Sequence, residues 1–205
     1  MKLYFAPGTC SLSPHIVLQE LGLPYGLVRV DNRSKRLSDG GDFLAVNPKG
    51  YVAALRLDTG EVLTEGPALV QYLADLKPEA GLAPPNGTLE RVRLQEWLSV
   101  VGSEIHAGSA PLFDKDLPDA VRERFKSRLF RRFDWIEAAL ARTPYLMGEG
   151  FTVADASLFA VLGWMPGFGI ELARWPAIAA YVRGIAARPS VAAALAREAA
   201  VPAVA

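Results

Sequence analysis

The rhythm of apolar and polar positions changes partway along this chain. In the first part, short apolar bursts alternate with turn-forming residues. Lys2–Phe5, Leu27–Val30, Val52–Leu57 and Val62–Thr64 each read as a strand, while Ser11 to Leu21 and the segment from Pro67 read as helices. Alternating strands and helices predict an α/β sheet. Asp58-Thr59-Gly60-Glu61 carries the aspartate and glycine of a hairpin turn, so the last two strands run antiparallel and the sheet is mixed. The stretch Lys77 to Gly87, rich in proline and glycine, then interrupts every period and reads as a linker.

From Thr88 onward only helical spacing is present. Leu94, Trp97, Leu98, Val101 and Ile105 recur along one face, as do Phe125, Leu129, Phe133, Ile136 and Leu140 on a second, strongly basic segment. A third helix has a start signal in Thr152, with Asp155 at the capping-box position and Phe151 placed as a hydrophobic staple. Trp175-Pro176 opens another helix, and Val191–Ala200 forms a last, alanine-rich one. The pattern therefore predicts an α/β domain over residues 1–80, a linker at 81–87 and an all-helical domain over 88–205.

Composition adds bounds rather than detail. The 22 basic and 22 acidic side chains cancel, so no global field directs the chain to nucleic acid or to an anionic membrane. The longest apolar run, Leu158 to Ile170, is cut by Gly163, Pro166, Gly167 and Gly169, and no transmembrane helix is expected. Lys2 is followed at once by a strand that meets Pro7, which leaves no apolar secretion signal. A single cysteine, Cys10, excludes an internal disulfide framework. A cytoplasmic protein with small-molecule or subunit partners, and no metal, is expected.

The candidate chemistry starts at Cys10, where the first strand turns through Ala6-Pro7-Gly8-Thr9 into a helix whose serines serve as N-caps. Unpaired N–H groups of a first helical turn favour a thiolate and lower its pKa. A lone cysteine also serves as a small buried hydrophobe, and both readings stand at this point. Glu65-Gly66-Pro67 opens the next helix. Proline at its first position makes Gly66 the cap and leaves N–H groups for a carboxylate, with Glu65 beside them either to hold an amine or simply to favour the helix macrodipole. Lys35 and Arg36 supply cations in the polar loop, either to meet a ligand carboxylate or to solvate the loop. Ser99, Ser103 and His106, spaced four and three apart, share a helix face beside the apolar stripe, whether as part of a cleft or as a solvated surface. His15, flanked by Ile16, Val17 and Leu18, is read as structural.

Five stretches, in this order and spacing, carry a family likeness: Ala6–His15, Val46–Gly50, Leu63–Gly66, Glu104–His106 and Phe151–Asp155. Together they resemble the bacterial beta-class glutathione S-transferases, from Met1 to about Ser190. The resemblance implies a thioredoxin-like domain joined to a helical domain, a homodimer, and glutathione bound between the domains as co-substrate. It places Cys10 beside the glutathione sulfur, with Ser11 as a hydroxyl donor and His106 approaching the thiol. Glu65 and Gly66 would take the γ-glutamyl end, Lys35 the glycine carboxylate, and the Val52 backbone the cysteinyl backbone. Ser103 and Glu104 match positions that reach the partner subunit's glutathione, and Ser99 also faces the site. The implied chemistry is attack of glutathione on an electrophilic small molecule, or thiol–disulfide exchange through Cys10.

Two positions depart from the family pattern. Ala53 stands where the family has a cis-proline, and because a cis bond before another residue is disfavoured, a trans bond with weaker glutathione pairing is expected. Ser99 stands where beta-class members carry asparagine, which shortens one polar reach. These two changes motivate an alternative, a noncatalytic protein of the same fold that binds glutathione or hydrophobic ligands. Phe113, Trp164 and Phe168 are candidates for the second substrate's surroundings, with Trp164 expected in the core.

Overall fold

The computed structural model describes residues 1–204, which divide into two compact units: Met1–Ala80 together with the segment from Ala187 onward, and Gly81–Ala186. The first unit is built on a four-stranded sheet of β1 (Lys2–Phe5), β2 (Gly26–Arg29), β3 (Ala54–Arg56) and β4 (Val62–Thr64), in the order β2-β1-β3-β4. β1 and β2 are parallel, and the other two pairings are antiparallel. The sheet is mixed because the β1–β2 connection carries a crossover helix, α1 (Leu12–Leu21), whereas β3 and β4 are joined by the short turn at Asp58–Gly60. α2 (Gly66–Asp75) follows β4.

β1 is apolar on both faces because both are covered. Leu3 and Phe5 are fully buried, with Phe5 beside the His15 ring of α1, while Tyr4 on the opposite face joins Val28, Val30, Leu37, Phe43 and Ala54 in one cluster. The polar loop after β2 therefore contributes core of its own through Leu37 and Phe43.

The final helix, α8 (Pro189–Ala200), departs from the expected division. The sequence reading gives it to the helical domain, yet it packs on α1 in the first unit. Three polar contacts explain this: His15 Nδ1 with Glu198 Oε1 at 2.9 Å, Arg188 Nε donating to Glu20 Oε1 at 2.8 Å, and Ser190 Oγ donating to the same oxygen. The stretch 81–87 is likewise no free linker. Leu82 O accepts from the Val153 amide and Pro84 O from Arg91, so it is fastened to the helical unit.

The second unit contains α3 (Leu89–Val100), a π-helical turn (Val101–His106), a short α4 (Ala107–Ser109), then α5 (Asp119–Leu140), α6 (Val153–Leu162) and α7 (Pro176–Ala186). The helical stripes are its core: Leu94, Leu98, Val101 and Ile105 from one, Leu129, Phe133, Ile136 and Leu140 from the other. Trp97 and Phe125 are only half-buried, and Trp97 stacks on Trp135 instead. α6 is buried along most of its length, which is why the sequence there is apolar all round. Its start is held by Asp155, whose carboxylate accepts from Thr152 N and Oγ1, Leu146 N and Tyr181 Oη. The capping box expected at this start is present, and the Thr152 hydroxyl donates to the Asp155 carboxylate as well.

Candidate active site

The loop between β1 and α1 is locked from within. Gly8 takes a positive φ of 70°, which lets the chain reverse, and two hydroxyls then close the turn: Thr9 Oγ1 and Ser11 Oγ both donate to Ala6 O, at 2.8 and 3.2 Å. The Ala6 amide in turn donates to Ser11 Oγ. Ser11 is completely buried and stands at the N-cap position without capping α1, so it builds the loop and presents no hydroxyl to a substrate. Thr9, to which the sequence pattern assigns no role, shares this task through its contact with Ser11 Oγ.

This locking also changes the expected electrostatics of Cys10. The Ser11, Leu12 and Ser13 amides, which a thiolate would need, donate instead to Thr9 Oγ1, Thr9 O and Cys10 O. Burial pushes the half-buried Cys10 thiol above its ordinary range; its own backbone amide opposes this and the Glu65 carboxylate adds to it. The lowered pKa expected from the sequence is not found. Cys10 is instead a neutral thiol, with Sγ 3.7 Å from Val52 O.

Val52 and Ala53 are joined by a cis peptide bond, which corrects the trans bond expected from the absence of proline. The surrounding loop is fixed at several points. Asn47, buried, donates from Nδ2 to Tyr51 O at 2.7 Å and accepts from Lys49 N, Ala53 is itself buried, and Ala54 is already in register with Thr64.

Glu65 and Gly66 follow directly from that register. α2 begins at Gly66 with Glu65 as its cap, one residue earlier than expected. Pro67 has no N–H, and the Ala68 and Leu69 amides both donate to Glu65 O at 3.0 Å, so the Gly66 N–H is the first-turn donor left for a carboxylate. Among the described residues, Lys35 and Glu65 alone hold a positive φ without being glycine, at 60° and 69°. Such residues cost about 1–3 kcal/mol and cluster at functional sites. Lys35 Nζ donates to Gly50 O at 2.8 Å.

The sequence pattern assigns Lys49 no role, yet its Nζ donates to Glu65 Oε1 at 2.8 Å and to Thr64 Oγ1 at 3.1 Å. The signal lay in the hairpin: once Ala54 pairs with Thr64, the residues leading into β3 lie beside Glu65.

In the second unit, Ser103 and His106 lie in a π-helical turn, wound more widely than the α-helix assumed in the four-and-three spacing of Ser99, Ser103 and His106. Ser99 and Ser103 are exposed and tied together by Ser103 Oγ donating to Ser99 O, whereas His106 is half-buried with its ring 5.0 Å from Trp164. Burial holds the imidazole below its ordinary pKa, so it is neutral at pH 7. Trp164 is half-buried rather than core and continues into an aromatic set with Phe113, which is 55% exposed, and Phe168. Glu104 accepts from Arg132 Nε at 2.7 Å and Arg128 Nη2 at 3.4 Å, and these partners, Arg132 first, keep its carboxyl below the usual range. Among the described residues no cluster of His, Cys, Asp and Glu is arranged for a metal, and no helix is long and apolar enough to cross a membrane.

Residues 8–76 match the model of the glutathione S-transferase N-terminal domain, and residues 119–184 that of the C-terminal domain. The chain is 42% identical to glutathione S-transferase GstA of Escherichia coli O157:H7, over 97% of this chain and 98% of that one. It is similar in structure to a sphingomonad glutathione S-transferase complexed with glutathione, at TM-score 0.94 and 44% identity, covering 98% of this chain and 100% of that one. A beta-class glutathione S-transferase of Sphingomonas chungbukensis superposes at TM-score 0.93 and 45% identity, covering 97% and 98% of the two chains.

Proposed function

Because this chain belongs to the glutathione S-transferase family, we propose that it conjugates reduced glutathione to electrophilic small molecules, with the thiol group of Cys10 beside the glutathione sulfur. The observation that carries the reading is the position of Cys10 Sγ, 3.7 Å from Val52 O and close enough to Glu65 to feel its charge. One small region of the first unit thus holds a sulfur, a backbone edge for a peptide, and a carboxylate at a helix start.

The assigned roles follow from the chemistry of each group. Glu65 takes the γ-glutamyl ammonium and the Gly66 N–H its carboxylate, Val52 pairs with the cysteinyl backbone, and Lys35 takes the glycine carboxylate. His106, neutral at pH 7, accepts the glutathione thiol proton. The thiolate then attacks the electrophilic carbon; a C–S bond forms, and the leaving group departs with its bonding pair. Cys10, itself a neutral thiol, donates a weak S–H hydrogen bond to that thiolate. A thiolate at Cys10 is what a mixed disulfide would require, so the raised pKa favours conjugation over thiol–disulfide exchange. Phe113, Trp164 and Phe168 suit a planar aromatic electrophile. Ser103 and Glu104 are assigned to the partner subunit's glutathione in a homodimer, Ser99 to the polar surroundings, and detoxification in the cytoplasm to the family role.

The test is calorimetric titration with reduced glutathione, in the wild type and in Glu65→Ala, alongside turnover of an activated aryl chloride. Binding that is lost in the variant, with turnover lost in His106→Ala, supports the reading. Binding without turnover of any electrophile leaves the noncatalytic alternative, and absence of binding overturns the assignment of the site.

A further inference from the structure

The carboxylate assigned to the ligand already has a cation. Lys49 Nζ donates to Glu65 Oε1 at 2.8 Å and is steadied by Thr64 Oγ1 at 3.1 Å, and its backbone is held by Asn47 Oδ1 accepting from the Lys49 amide at 3.2 Å. Both side chains of the ion pair are more than half exposed, at 54% and 67%, so the pair opens readily to solvent and to a ligand. Glu65 itself is less adjustable. Its φ of 69° and the two amides on its carbonyl fix where its side chain leaves the backbone.

We propose that Lys49 is a specificity-determining residue, an internal competitor that a ligand ammonium must overcome at Glu65. This rests on the assignment of Glu65 to the γ-glutamyl amine. The sign of the effect does not depend on whether Lys49 leaves. If it is displaced, the ligand trades one ammonium for another on the same carboxylate. If it stays on Oε1 while the ligand takes Oε2, two cations face each other across one carboxylate and repel. Either way Lys49 weakens ligands that carry the amine and leaves those without it untouched, so it sets how large a gain the rest of the tripeptide must supply.

The experiment compares glutathione with its des-amino analogue, glutaryl-cysteinyl-glycine, by calorimetry on wild type, Lys49→Gln, Lys49→Arg and Glu65→Gln at low ionic strength. Lys49→Gln is expected to tighten glutathione about two- to fivefold, leave the analogue unchanged, and lose the gain at high salt, while Lys49→Arg stays near wild type. Unchanged or weaker glutathione binding in Lys49→Gln overturns the proposal, as does an equal change for both ligands. Glu65→Gln separates the two inferences. If it fails to weaken glutathione relative to the analogue, the Glu65 assignment itself is wrong; if it weakens glutathione selectively while Lys49→Gln does nothing, only the competitor role is.

Discussion

The Nδ1 atom of His15 lies 2.9 Å from Glu198 Oε1, joining the first helix of the chain to its last across 183 residues of sequence. Both groups are buried, and among the described residues the other imidazole nitrogen, Nε2, has no hydrogen-bond partner. Glu198→Ala removes the hydrogen-bond partner of Nδ1 and leaves that atom buried and unsatisfied, a loss of about 1–3 kcal/mol. Thermal unfolding at neutral pH is expected to fall by roughly 2–4 °C for each kcal/mol lost. Glu198→Gln, which keeps an acceptor, loses less. An unchanged melting temperature in Glu198→Ala would show that α8 is held by its apolar contacts alone.

The Cys10 thiol is held above its ordinary range, first by burial and then by Glu65. Alkylation by iodoacetamide, followed by mass spectrometry across pH, is expected to be slow at pH 7 and to have its midpoint above that of a free cysteine. Glu65→Gln removes a negative charge and moves the midpoint down. A wild-type midpoint below that of a free thiol would contradict this account.

His106 is held below its ordinary pKa by burial. The fold therefore prefers the neutral ring, and this contribution to stability is present above the unfolded value, near 6.5, and lost as pH falls through the folded one. With two histidines in the chain, the His106 resonance is identified in a His15 variant, and its NMR titration is expected to centre below 6.5. Trp164→Ala exposes the ring and moves the midpoint back up. Turnover that relies on the neutral imidazole declines on the acid side at the same midpoint.

Asp155 receives four donors, two of them main-chain amides, in the buried start of α6. Asp155→Ala leaves the Leu146 and Thr152 amides and the Tyr181 hydroxyl without this acceptor. At about 1–3 kcal/mol for each buried group, a loss of at least about 3 kcal/mol is expected, read in a urea unfolding curve. A loss below about 1 kcal/mol would mean that water replaces the carboxylate.

Local pattern was sufficient wherever a residue's role depends on its near neighbours. Alternating short apolar bursts, the Asp58–Gly60 turn and the long helical stripes determined the mixed sheet and the helical unit, because periodicity and turn chemistry act within a few residues. Cys10, Glu65 and His106 were picked out by local pattern as candidates only, and their expected roles came from the family resemblance. What the sequence did not determine depends on groups far apart in the chain. Burial together with Glu65 raised the Cys10 pKa, where the loop alone argued for lowering it. The internal hydrogen bonds of the Ala6–Ser11 turn made Ser11 structural, the segment Val101–His106 took a π-helical winding, and α8 joined the first unit through His15 and Glu20. The Lys49–Glu65 pair exists because the β3–β4 register sets its two residues side by side. Desolvation and long-range charge depend on what surrounds a group in three dimensions, and only the tertiary structure supplies that.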